Sequence, residues 1–164
     1  MAVIELPELK PALNPGQRLL GLDLGEKTIG LALSDTGLSI ATPLQTLKRG
    51  KFTIDAKTLE ALAAEHNVGG LVVGLPLNMD GSAGPAAQSA RAFARNFAAL
   101  SPLAVVLVDE RLSTAAVLRT LIDADASRKR RAEVVDKMAA AYILQGALDR
   151  LRIISPGERL ASLD

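Results

Sequence analysis

The hydrophobic pattern divides the chain into a run of strands followed by alternating helices and strands. Arg18 to Leu24 is almost continuously apolar, as in a strand buried on both faces. Gly25 to Thr28 predicts a tight turn and Ile29 to Ser34 a second strand. After a turn at Asp35-Thr36-Gly37, Leu38 to Leu47 reads as a third, weaker strand. Thr53 to His66 carries apolar residues at Ile54, Leu59, Leu62 and Ala63, a helical spacing with Thr53 as N-cap. Gly70 to Leu75 is a buried strand and Pro76 to Pro85 a loop. A helix then follows from Ala86 to Leu100, with Ala90, Phe93, Ala94 and Phe97 on one face. Leu103 to Val108 is the fifth strand. Ser113 caps a helix from Thr114 to about Ile122, Asp123 to Arg131 is a polar, basic link, and a last helix runs from Ala132 to Leu151. Its core face is expected at Val135, Met138, Ala139, Tyr142, Ile143 and Ala147. The order βββαβαβαα predicts an α/β protein: a mixed five-stranded sheet with helices on both faces. Residues 1–17 read as an extended tail punctuated by prolines, 18–152 as the domain, and 153–164 as a C-terminal tail.

Composition narrows the classes. At 164 residues and 49% hydrophobic content the chain fits one domain with an ample core. It has no cysteine, which excludes disulfides and thiolate metal sites and suits a cytoplasmic protein. The first seventeen residues lack the apolar core of a secretory signal, and no apolar run is long enough to predict a membrane span. Aromatic residues make up only 2%, so reading nucleic acid by base stacking is not expected. The net charge is +1, but Arg128, Lys129, Arg130 and Arg131 form one basic run, the best footprint for a nucleic-acid backbone. A solvated link is its bland alternative.

Acidic residues carry the chemistry. Asp23 lies inside the first strand, where an ionised carboxylate is costly unless paired or bound to a cation. Asp109 and Glu110 end the fifth strand and point to opposite faces, so only one of them can join Asp23. Asp136 opens the last helix. Sites in open α/β sheets form at the carboxyl ends of strands, where all three elements can converge. Such a cluster needs a compensating charge, and its hard oxygens favour Mg²⁺ or Mn²⁺. Two such ions about 4 Å apart support phosphodiester cleavage by activating water and stabilising the leaving oxygen. Structural readings compete: a solvent-facing strand end for Glu110, helix-dipole stabilisation for Asp136. Gly25 and Gly30 serve either a ligand's approach or the hairpin itself. Lys27 is a phosphate contact or a solvated turn lysine. Arg111 holds substrate or forms an ion pair, and Asn78 is a turn residue on sequence alone. Ser113 is a cap rather than a nucleophile, and His66 merely ends its helix.

Four segments stand out: Gly-Leu-Asp-Leu-Gly-Glu-Lys-Thr-Ile-Gly-Leu-Ala-Leu-Ser-Asp (21–35), Val-Val-Gly-Leu-Pro-Leu-Asn-Met-Asp-Gly-Ser-Ala-Gly-Pro (72–85), Asp-Glu-Arg-Leu-Ser-Thr (109–114) and Val-Asp-Lys-Met-Ala-Ala-Ala-Tyr-Ile-Leu-Gln (135–145). In an order and spacing that cover about residues 18–150, they together resemble the YqgF/RuvX family of bacterial RNase H-like proteins. The resemblance implies an RNase H-like fold and a nuclease maturing the 5′ end of 16S ribosomal RNA, with precursor RNA and ribosomal particles as partners. The same family was long labelled as Holliday junction resolvases, so branched DNA is the alternative substrate. Asp23, Glu110 and Asp136 match the family's acidic triad, and Asn78 would orient a metal-bound water or a phosphate. Thr28 departs from the pattern, since relatives often carry a basic residue there. Two rival readings remain. An actin-like phosphotransferase would need two lobes and a longer chain. An RNA-binding ribosome-assembly factor would keep the fold without turnover.

Overall fold

A computed structural model describes residues 2–113 and 128–154, with the side chains of 128–135 outside that description. The five apolar runs are strands: β1 (Arg18–Leu24), β2 (Thr28–Ser34), β3 (Ala41–Lys48), β4 (Val68–Leu75) and β5 (Ala104–Asp109). They form one mixed sheet in the order β3-β2-β1-β4-β5. β1 pairs antiparallel with β2 and parallel with β4, β2 pairs antiparallel with β3, and β4 pairs parallel with β5. β4, inside the parallel half, is buried along its whole length, which explains its unbroken Val-Gly-Gly-Leu-Val-Val-Gly-Leu run. Edge strand β3 tolerates Pro43, which sits where the β2–β3 register shifts.

Among the described residues four helices accompany the sheet: α1 (Leu9–Ala12), α2 (Phe52–Glu65), α3 (Pro85–Leu100) and α4 (Arg128–Ile153). Alternation along the strands splits the core in two. Leu20, Leu22, Ile29, Leu31, Leu71 and Val73 share one cluster with Leu59 of α2 and Phe93 and Phe97 of α3. Leu19, Ala32, Val72 and Val106 share the other with Ile143, Leu144 and Leu148 of α4. The expected mixed sheet with helices on both faces is therefore the observed architecture.

Local departures have physical causes. The segment before β1 is no extended tail: it makes a short 3-10 turn (Leu6–Glu8) and α1, buries Leu9 completely, and bridges Ile4 to Val106 on the edge of β5. Its prolines punctuate turns, while its leucines find apolar neighbours along the sheet edge. β3 starts at Ala41 instead of Leu38, because Leu38 takes a left-handed φ of 55° inside a turn tied by Asp35. The Asp35 carboxylate accepts the Ser39 and Ile40 amides at 2.7 and 3.0 Å, which holds its pKa below the ordinary carboxylate range. α2 begins at Phe52 with Lys51, not Thr53, as N-cap. Its buried stripe is Ala56, Leu59 and Ala63, leaving Ile54 exposed. α4 begins at Arg128, so the basic run is the helix's first turn rather than a link. On that helix Tyr142 faces outward, and Ala140, Leu144 and Leu148 take up the core. The helix expected over Thr114–Ile122, the stretch 123–127 and the tail 155–164 lie outside the described residues. Among the described residues no helix is long and apolar enough to cross a membrane.

Candidate active site

Asp23 is next to last on β1 and only 3% exposed. Its side chain shares the α4 face with Leu19, because residues two apart in a strand point the same way. Directly across β2 its partner is Gly30. On the other side β1 runs beside β4, their pairing ending at Leu22 with Val73, so Gly74 follows one step beyond. Asp23 thus lies between two glycine positions, with adjacent strands about 4.8 Å apart.

Both glycines give up their side-chain space to acidic residues from elsewhere. A Cβ added at Gly30 would stand 2.0 Å from the Asp136 carbonyl oxygen, so α4 rests directly on this strand at its third turn, and Asp136 lies two turns inside the helix rather than opening it. A Cβ at Gly74 would meet the Ile143 side chain at 2.6 Å and Glu110 Oε2 at 3.1 Å. The missing methyl groups allow a helix backbone on one side of Asp23 and a carboxylate on the other. Glycine at position 30 therefore serves the docking of α4, which the hairpin reading of the sequence did not anticipate.

Glu110 follows β5 as the first residue of a short 3-10 turn, Glu110–Leu112, and is 4% exposed. Burial, followed by the negative charge of Asp109, pushes its pKa up to about 7. Asp109 turns away to Arg111, with a 2.7 Å ion pair between Nη2 and Oδ2. The Arg111 hydrogen bonds hold its carboxyl below the ordinary range. The division expected at the strand end is observed: Glu110 goes inward, and Asp109 belongs to an ion pair.

Asp136 is half-buried on α4, and its Oδ2 accepts the hydroxyl of Thr28, the first residue of β2. Asp23, Glu110 and Asp136 come from three separate elements and occupy one sheet face within neighbouring strand rows. Among the described residues, no three acidic or histidine side chains close into a ready-made cage around an ion. The chemistry of the donors nevertheless fits a hard cation. They are all carboxylates, two of them are buried, and the pKa of one is raised by burial and a neighbouring charge.

The remaining candidates are spread around this centre. Lys27 is exposed at the tip of the β1–β2 turn, with its carbonyl accepting the Arg49 amide at 2.8 Å. Asn78 is exposed in a turn: its side-chain amide donates to Ser82 Oγ at 3.0 Å, and its carbonyl accepts from Gly81. Arg111 fastens that loop by donating to the carbonyls of Asn78 and Met79, both at 3.2 Å. The structure thus gives Asn78 and Arg111 structural partners. Ser113 donates to the Glu110 carbonyl at 2.8 Å, while the helix it was expected to cap lies outside the described residues. His66 ends α2, and Asn67 beyond it adopts a left-handed φ of 54°. Arg128, Lys129, Arg130 and Arg131 form the first turn of α4.

Sequence reasoning missed Arg49. From the end of β3 its guanidinium donates to the Gly25 carbonyl at 2.7 Å and to Ser89 Oγ of α3 at 3.0 Å, tying the turn after Asp23 to the opposite layer. It also missed Thr28 as a partner of Asp136. No local motif marks either residue, because their partners lie far away in the chain.

Comparison with known proteins identifies the family and the fold. The family model described as "RuvX: Holliday junction resolvase" matches residues 17–150. A Methylocella silvestris protein named "Putative pre-16S rRNA nuclease" is 60% identical over 152 residues, covering 93% of this chain and 94% of that one. A Paramagnetospirillum magneticum protein of the same name is 61% identical over 149 residues, covering 91% and 96%. Thermus thermophilus RuvC, solved in complex with a Holliday junction substrate, superposes with a TM-score of 0.50 at 14% identity. That match covers 85% of this chain and 99% of RuvC, and it shows a common fold. A family match across the whole sheet and the acidic positions, with relatives aligned over nearly their full length, places this chain in the RuvX family.

Proposed function

We propose that this protein is a divalent-metal-dependent nuclease that hydrolyses phosphodiester bonds during 5′-end processing of precursor 16S ribosomal RNA. Residues 18–152 form its nuclease domain, and it works in the cytoplasm on RNA or ribosomal particles. One observation carries this reading. Asp23 is buried in the sheet between two glycine positions, and those positions admit Asp136 from α4 and Glu110 from the end of β5.

Carboxylates gathered on one sheet face, two of them buried, are unfavourable without a compensating charge. Asp23, Glu110 and Asp136 would hold Mg²⁺ or Mn²⁺, which supplies activation of water and stabilisation of the leaving oxygen. The protein's own contribution is a dry floor. Asp23 is fixed by strand pairing, Glu110 by its short turn, and Asp136 by contact with β2. Lys27, Asn78, Arg111 and the basic residues Arg128, Lys129, Arg130 and Arg131 are the proposed contacts for the phosphate backbone. No acidic residue sits in the first turn of α4, and cations at a helix N-terminus oppose the macrodipole. Helix stability therefore does not explain the basic run, whereas a polyanionic partner does. The phenylalanines Phe52, Phe93 and Phe97 pack together inside the protein, leaving them unavailable for stacking on bases. Recognition of the strand by charge and shape follows.

The test is cleavage of precursor 16S RNA with Mg²⁺ or Mn²⁺ by wild type and by Asp23→Asn. The variant should lose at least about a thousandfold in rate while retaining its melting temperature. Equal rates would remove Asp23 from the chemistry. A four-way DNA junction assayed in parallel separates the two substrate classes, because preferential junction cutting would transfer the assignment to branched DNA.

A further inference from the structure

We infer that Thr28 is a positioning residue for the metal centre, its hydroxyl fixing the carboxylate of Asp136 from β2. The inference rests on the proposed role of Asp136 and goes beyond it by naming what aims that side chain. Two independent features meet at this point. The Thr28 hydroxyl donates to Asp136 Oδ2 across 108 residues of sequence. Two residues further along the same strand face, Gly30 lets the Asp136 backbone settle where any Cβ would collide with its carbonyl. Main chain and side chain of Asp136 are thus both set by one strand.

Threonine suits the task. It is β-branched and stiff about χ1, so a strand backbone fixes the direction of its hydroxyl. A hydroxyl supplies one donor, while a carboxylate offers about four lone-pair sites, leaving room for an ion on the same group. Carboxylates that bind metals are commonly oriented by such outer hydrogen bonds, and losing one costs about 10- to 100-fold in metal affinity or activity. β2 is itself paired with β1 through Asp23 and Gly30, so the strand carrying Thr28 is in register with the strand carrying Asp23. Asp23 and Asp136 are thus linked through the β1–β2 ladder and the Thr28 hydroxyl.

The experiment measures Mn²⁺ affinity by calorimetric titration, alongside RNA cleavage kinetics, for wild type, Thr28→Val, Thr28→Ser, Thr28→Ala and Asp136→Asn. Valine keeps the shape and removes the donor, and serine keeps the donor. Thr28→Val and Thr28→Ala should weaken Mn²⁺ binding about tenfold or more and lower kcat similarly, with Thr28→Ser close to wild type. KM for RNA should hold, because Thr28 orients a ligand rather than touching substrate. Should valine impair folding, as read by thermal melting, the alanine and serine pair carries the same contrast. Unchanged or tighter Mn²⁺ binding in the folded variants lacking the hydroxyl would overturn the inference and leave the nuclease reading intact. Equal Mn²⁺ binding by wild type and Asp136→Asn would instead remove Asp136 from the metal site, and the inference with it.

Discussion

The two faces of the sheet are built from the same strands to different ends. Beneath α2 and α3 the strands present Leu20, Leu22, Ile29, Leu31, Leu71 and Val73, met by Leu59 and by Phe93 and Phe97. Toward α4 the intervening positions present Asp23, Gly30, Ala32, Val72 and Gly74, and the helix comes close enough for its backbone to touch β2. Large side chains on one face hold the layers apart and bury apolar area. Small ones on the other draw a helix inward and bring carboxylates to the sheet. Both faces bury apolar residues, but only the second also holds carboxylates out of water.

That contrast can be tested by substitution on each side. Phe97→Ala, on the α3 face, should cost about 3–5 kcal/mol through the cavity it leaves, measured by urea unfolding. Cleavage per folded molecule should be nearly unchanged. A specific loss of turnover in the folded fraction would show that the two faces are not separate.

Glu110→Gln tests the opposite face, with a pH signature. The folded carboxyl titrates near 7, above its ordinary 4.5, so between those values the native state holds the proton more tightly than the unfolded chain. Stability of the wild type without metal should therefore fall as pH rises through this window, by at most on the order of 3 kcal/mol. The glutamine variant, measured in EDTA, should gain on wild type between pH 5 and pH 8 while losing nuclease activity. A stability difference that is the same at both pH values would contradict the buried-carboxylate account.

Gly30→Ala should cost at least about 3 kcal/mol, because the added methyl group meets the backbone of Asp136 and Lys137 and the helix has to move. Its effect on turnover should exceed what the loss of folded protein explains, because Asp136 rides on the displaced segment. Activity that tracks the folded fraction alone would mean that the close approach of α4 is only packing.

Much of this was legible along the chain because it depends on local periodicity. The Ala90-Phe93-Ala94-Phe97 stripe marked α3, and the unbroken apolar run marked β4, each recording burial in residue type alone. The opposed directions of Asp109 and Glu110 were expected from strand alternation and are observed, although Glu110 lies in the 3-10 turn just past β5. Less legible were places where a partner elsewhere decides. Pro7, Pro11 and Pro15 gave the first segment the look of a tail, yet Leu9 finds a full complement of apolar neighbours in the second core cluster. Ile54 looked like core on α2, but that helix rotates to bury Ala56, so that Phe52 can meet Phe93 edge to face. Thr28 read as a missing cation and instead supplies a hydrogen bond to a residue on the last helix.

By itself the order of residues determined the strands and most helices, the mixed α/β class and the three acidic positions, since period, burial and the cost of an isolated charge are properties of short segments. Only the tertiary structure decided which glycines make room, which acid pairs with arginine, and which hydroxyl meets Asp136. Those outcomes depend on distances between elements remote in the chain, and such distances exist only once the sheet has closed against its helices.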